Sequence, residues 1–191
     1  MKAKTIKGTS VDDIQLALSA SLADGYKPTL AIVFISVKQD SEAVCRLLND
    51  EGIQIFGSTT SGEFISPEIS EGGIVIMLLD MNPENFKILF METGEQTTLE
   101  NAKYIGLAGK NNFTNPAFII ASGWLTQDGE NIVEGITNGF GADVIIFGGM
   151  AGDDLVLDGP LVFTNNQSSS KGLLALIIDE DKNSDKRHCH L

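Results

Sequence analysis

Apolar residues gather along this chain in short runs of two kinds. Thr29-Leu30-Ala31-Ile32-Val33-Phe34-Ile35, after Pro28, is continuous and rich in β-branched side chains, which predicts a strand buried on both faces. Asp40-Ser41 then offers a helix cap, and Ala43, Val44, Leu47 and Leu48 follow at helical spacing until Gly52. Ile53 to Phe56 predicts a second strand running into Gly57-Ser58-Thr59-Thr60-Ser61-Gly62-Glu63. Gly72-Gly73 introduces a third strand, Ile74 to Asp80, and a turn at Asn82-Pro83 introduces a fourth, Phe86 to Met91. A helix from Ser10 to Leu22, with Ser10 and Asp13 as a capping box, precedes them all.

The second half repeats that order. Thr98 to Ala108 predicts a leading helix, and Pro116 precedes the strand Ala117-Phe118-Ile119-Ile120-Ala121. Asp128 caps a helix carrying Ile132, Val133 and Ile136, stopped by Gly139. Val144 to Phe147 runs into Gly148-Gly149-Met150-Ala151-Gly152-Asp153-Asp154, and a hairpin around Asn165-Asn166 leads to the strand Gly172 to Asp179. Pro116 lies 88 residues after Pro28, Gly152 90 after Gly62 and Gly172 99 after Gly73. The offset grows only where loops absorb insertions. The expectation is an α/β domain of two pseudo-symmetric α-β-α-β-β-β repeats, packed into one layered domain with a mixed sheet. Repeat one covers about residues 8–95 and repeat two about 96–180, leaving 181–191 as a polar, flexible tail. Each repeat alone buries little, so the two should pack together and bring their equivalent loops close.

Charge narrows the partners. A formal net charge of -13 repels nucleic acid and anionic membrane surfaces. No apolar run reaches the ~18 residues of a membrane span, and the first residues lack a signal core. Two cysteines make no disulfide framework; Cys45, in a helical pattern, reads as a small core residue. A cytoplasmic setting is expected.

Both loops follow a buried strand at its carboxyl end, where ligands of α/β sheets collect. Small side chains let a ligand approach backbone N–H groups, and the hydroxyls of Ser58, Thr59, Thr60 and Ser61 add donors and acceptors. The carboxylates of Glu63, Asp153 and Asp154 suit an ammonium group. Gly57 and Gly62 have the outer spacing of a phosphate-binding loop, but Glu63-Phe64 stand where Lys-Ser/Thr is needed. Neither loop supplies a dinucleotide-binding glycine pattern. A purely structural reading stays open, with glycines forming turns and acids capping N–H groups. Four consecutive hydroxyl residues exceed what a turn needs.

Catalysis and metal binding have thin support. His188 and His190 are the only histidines, and both stand in the polar tail, so no Ser-His or Cys-His pair is arguable in the core. His188-Cys189-His190 are ligand types, but adjacent residues rarely close a site alone. Trp124 could floor an apolar pocket or simply fill the core, and Met150 could adapt to a ligand or fill a gap.

At these loops the sequence resembles the FIST domain, a bacterial sensory module. Phe56 to Glu63, Phe147 to Asp154 and the later Lys171-Gly172-Leu173-Leu174-Ala175-Leu176 carry the likeness, which spans Pro28 to Ile178. The resemblance implies a cytoplasmic, non-enzymatic input domain that senses small ligands, amino acids among them. It implies output partners such as histidine kinases, cyclic-di-nucleotide enzymes or chemoreceptors. Some relatives bind haem and respond to nitric oxide. Relatives often carry Cys where Ser58 stands, and usually a second, C-terminal FIST region that this sequence lacks. A haem held by histidine would have to use the tail, with Cys45 or Met150 as weaker axial candidates.

The resulting expectation is a sensory domain without a required cofactor. Ser58, Thr59, Thr60, Ser61, Gly62, Glu63, Trp124, Gly148, Gly149, Met150, Gly152, Asp153 and Asp154 would bind a small polar ligand. A haem-based nitric-oxide sensor is one rival. A hydrolase using Thr59 or Ser61 is the other.

Overall fold

The computed structural model describes residues 1–65, 68–92, 94, 96–123, 128–153 and 159–183. The chain runs β1 (Lys2–Gly8), α1 (Val11–Leu22), β2 (Leu30–Ser36), α2 (Ser41–Asp50), β3 (Gln54–Thr60), β4 (Glu63–Ile65), β5 (Glu68–Ser70) and β6 (Ile74–Asp80). After a 3-10 turn at Pro83–Asn85 it continues through β7 (Phe86–Glu92), α3 (Thr98–Asn112), β8 (Pro116–Ser122), α4 (Gly129–Phe140) and β9 (Ile145–Met150). It finishes with β10 (Val162–Phe163), β11 (Ser168–Ser169), β12 (Gly172–Asp179) and a single helical turn, α5 (Glu180–Asn183).

The strands form two mixed sheets, ordered β1-β6-β2-β3-β10-β11 and β7-β12-β8-β9, plus the hairpin β4-β5. In the first sheet β1–β6 and β6–β2 are antiparallel and β2–β3 is parallel. In the second, β7–β12 and β12–β8 are antiparallel and β8–β9 is parallel. The second sheet thus matches the first four strands of the first in order and sense.

Alternation along the strands builds four layers. In β2, Ala31, Val33 and Ile35 face α1 and α2 with Ile14, Leu18, Val44 and Leu48. Leu30 and Phe56 turn the other way, onto Leu174, Leu176 and Ala121 of the second sheet. On the far side of β12, Leu173, Ala175 and Ile177 meet Ile105, Ile132 and Ile136 of α3 and α4. The order is helices, sheet, sheet, helices. Such continuous apolar strands are required because both faces of the inner strands are covered.

The α/β layering agrees with the sequence, and four details correct it. β1 had no counterpart in the predicted pattern; it is an edge strand carrying Lys2, Lys4 and Lys7, with Ile6 turned into the core. Lysine suits an exposed edge and hides the apolar alternation of a strand. The strand at 86–92, expected to close the first unit, pairs with β12 in the second sheet. Gly139 does not stop α4, which runs to Phe140 and ends on Gly141 in the left-handed conformation, φ 90°. At the start of the stretch expected to form the tail, Glu180–Asn183 makes a helical turn, and the Asp181 amide donates to Asp179 at 3.1 Å.

The caps lie where their residue types predict. Ser10 accepts from the Asp13 amide, and the Asp13 carboxylate accepts from the Thr9 amide. Asp40 caps α2 through Ala43, and Asp128 caps α4 through Glu130. Among the described residues no helix is long and apolar enough to cross a membrane.

Candidate functional site

The two loops flagged in the sequence meet. β3 and β9 occupy equivalent places, each parallel to its sheet's central strand and ending on the same side. The Gly152 amide donates to the Thr59 carbonyl at 2.9 Å, and the Gly152 α-carbon lies against Ser61 with no room for a side chain. The Ala151 amide donates to the Ser122 carbonyl at the end of β8, at 2.8 Å. Thr59 is the knot. Its amide donates to the Leu161 carbonyl at 2.8 Å, and its hydroxyl accepts from the Leu161 amide at 2.8 Å.

The predicted site residues divide by environment. Ser58 is buried, with its hydroxyl donating to the Thr59 carbonyl at 3.0 Å. Glu63 is 1% exposed. Its carboxylate accepts from the Thr60 hydroxyl and from the Gly73 amide, each at 2.8 Å. Glu63 therefore ties the bend to the start of β6. Gly62, φ 137°, permits the reversal that brings Glu63 under Thr60. Ser61 lies at the surface, Gly152 and Asp153 are half-buried beside it, and Gly148, Gly149 and Met150 are exposed. Trp124, Asp154, His188, Cys189 and His190 lie outside the described residues.

Two cavities open at these strand ends. One, about 220 Å³, is lined by Ile120, Ser122, Ile132, Val133 and the β9 residues Ile146 to Met150, with Gly129 at the start of α4. Its walls are mostly apolar, with the backbone of Gly148 and Gly149 and the Ser122 hydroxyl as polar points. The other, about 180 Å³, sits at the equivalent place beside β3, lined by Lys38, Gln39, Ser41, Thr59 and Leu161 among others. A mostly apolar cavity with a few placed polar groups is the usual form of a small-ligand site. Sequence reading missed the walls at Ile120, Ser122, Ile146 and Phe147 and gave Val133 no role beyond its helix, where α4 leaves it exposed. An apolar residue beyond the buried stripe of Ile132 and Ile136 was the available signal.

Haem and hydrolysis find no built machinery among the described residues. Both histidines lie outside them, and Met150 stands on an exposed strand edge. Cys45 packs beside the helical core, and its desolvation pushes the thiol up to about 11 from 9.0. A thiol held neutral at ordinary pH is a poor ligand and a poor nucleophile. Thr59 has its hydroxyl closed in a pair with Leu161, whose carbonyl also accepts from it at 3.3 Å. The raised thiol gives a pH test. Folded Cys45 keeps its proton after an unfolded thiol has lost it, so this group's contribution to stability falls as pH rises from about 9 to about 11. In a Cys189→Ser chain, iodoacetamide should modify native Cys45 slowly at pH 8 and unfolded Cys45 quickly; equal rates would contradict the burial.

No curated protein matches the chain. The FIST N domain family matches residues 29–189. That span holds both loops and every strand of the two sheets except β1, so the chain belongs to the FIST N domain family, whose assigned role is sensing within signalling proteins.

Proposed function

We propose that this domain is a cytoplasmic, non-enzymatic receptor for a small polar ligand, of which an amino acid is the first candidate. The ligand sits at the joined ends of β8, β9 and β3. The observation that carries this reading is the bond from the Gly152 amide to the Thr59 carbonyl, because it fuses two small-residue loops into one rim beside an apolar cavity. Gly148, Gly149 and Ser122 offer polar contacts, Met150 and Ile132 meet the apolar part, and Asp153 faces the cationic group. Ser58, Thr59, Thr60 and Glu63 hold the rim from behind rather than touching the ligand.

Binding at this junction shifts a pre-existing equilibrium in how the two sheets meet, and an output protein reads the shift. A histidine kinase, a cyclic-di-nucleotide enzyme or a chemoreceptor fits that role.

The test is a thermal-shift screen of amino acids and related metabolites. A ligand present at 100 times its dissociation constant adds roughly 2.7 kcal/mol of stability. Asp153→Ala should abolish the gain for cationic ligands, and Met150→Ala should weaken it. A gain that survives both substitutions places binding elsewhere and overturns the reading.

A further inference from the structure

Among the described residues the outer edge of β3 is covered and that of β9 is not. β10 lies antiparallel along β3, with Val162 opposite Ser58 and Phe163 opposite Gly57. The Phe163 ring fills the space where a Gly57 side chain would stand. β9 repeats the β3 pattern in register: Phe147-Gly148 lies opposite Ile119-Ile120 as Phe56-Gly57 lies opposite Ile32-Val33. Yet among the described residues β9 pairs only with β8. Ile145, Phe147 and Met150 are 44%, 63% and 43% exposed, and Gly149 has open space where a side chain would begin. The Ala151 amide points to β8. By strand alternation the Met150 and Gly148 amides point to the open edge, as the Thr59 amide points to the hairpin strand beside β3.

We propose that the β9 edge is a docking site for an antiparallel polypeptide strand supplied by another protein, with an aromatic side chain laid over Gly149. The molecule holds part of the template for this pairing in its own β3–β10 contact; at Gly148, φ 150°, a side chain would meet the Ile120 backbone, so the open seat for the aromatic ring lies over Gly149. A long, flat, apolar edge is otherwise guarded by charge, proline or cover, and β9 itself carries no charged residue. Strand addition satisfies the open amides and gives specificity through alternate side chains. A second copy is the poorer occupant, since each chain carries a formal charge of -13 and the exposed Asp143 lies just ahead of β9. The fitting strand is uncharged or basic. This inference rests on strand order, and it uses the Gly148–Met150 edge that the proposed receptor reading gives to a small ligand, so strand and ligand compete there.

The probe is a capped, uncharged peptide copying residues 160–169, Pro-Leu-Val-Phe-Thr-Asn-Asn-Gln-Ser-Ser. Titrated into the ¹⁵N-labelled chain, it should bind saturably and shift the amides of Gly148 to Met150. Replacing the peptide's Phe by Ala, or Phe147→Lys in the protein, should weaken binding by roughly tenfold, with the protein's thermal midpoint unchanged. No binding, or shifts confined to residues 57–60 through exchange with the resident hairpin, would overturn the proposal. So would a chain already dimeric through β9 whose amides ignore the peptide.

Discussion

Phe163→Ala should be among the most damaging single substitutions in this molecule, costing about 3–5 kcal/mol. The ring is 1% exposed and belongs to the core between the first sheet and its helices. It also fixes β10 against Gly57, and so holds the strand that carries Leu161 to Thr59. Truncation leaves a cavity and loosens the cover of β3. A domain stability of about 5–15 kcal/mol makes that a large fraction. Urea denaturation should show the lowered midpoint, and amides at Ser58 and Thr59 should exchange faster. A midpoint shift under about 1 kcal/mol would mean that the hairpin is not part of the core.

Gly139→Val is the second large effect. α3 and α4 cross on small residues: a side chain at Gly139 would run into the Lys103 carbonyl, and one at Gly106 into the Ile136 carbonyl. At Gly135 the clash is with Ala102 Cβ at 2.5 Å. Neither backbone can yield without separating the helices. The expected cost is about 3 kcal/mol, the upper part of the usual range for overpacking. Gly129→Ala is the control on the same helix. Nothing lies within 4 Å of its missing Cβ, so the change should be neutral or stabilise by a few tenths of a kcal/mol. Equal losses at both positions would remove the close helix contact from the account.

The layers were legible in sequence wherever burial dictated residue type. Residues 172–178 are covered on both faces and residues 30–33 nearly so, which reads as continuous apolar runs even though Phe34 beside them is 42% exposed, and the caps at Asp40 and Asp128 announced their helices. Tertiary pairing was not legible. The apolar run of β7 carries nothing that says which sheet it joins, and the lysines of β1 conceal a strand whose core anchor is Ile6. The candidate site was half legible. Small residues at Gly148, Gly149 and Gly152 marked the loops, because close approach needs them. Glu63 was visible as a charge, but its partners, the Thr60 hydroxyl and the Gly73 amide, depend on the fold. Phe147 looked like core, since an exposed apolar side chain differs from a buried one only in what surrounds it.

The central claim is that the ends of β3 and β9 act as one receptor rim. Hydrogen–deuterium exchange, with and without the amino acid giving the largest thermal shift, tests it directly. Exchange should slow together at residues 58–62 and 148–153. Protection of one loop with the other unchanged, or of neither, would contradict a shared site.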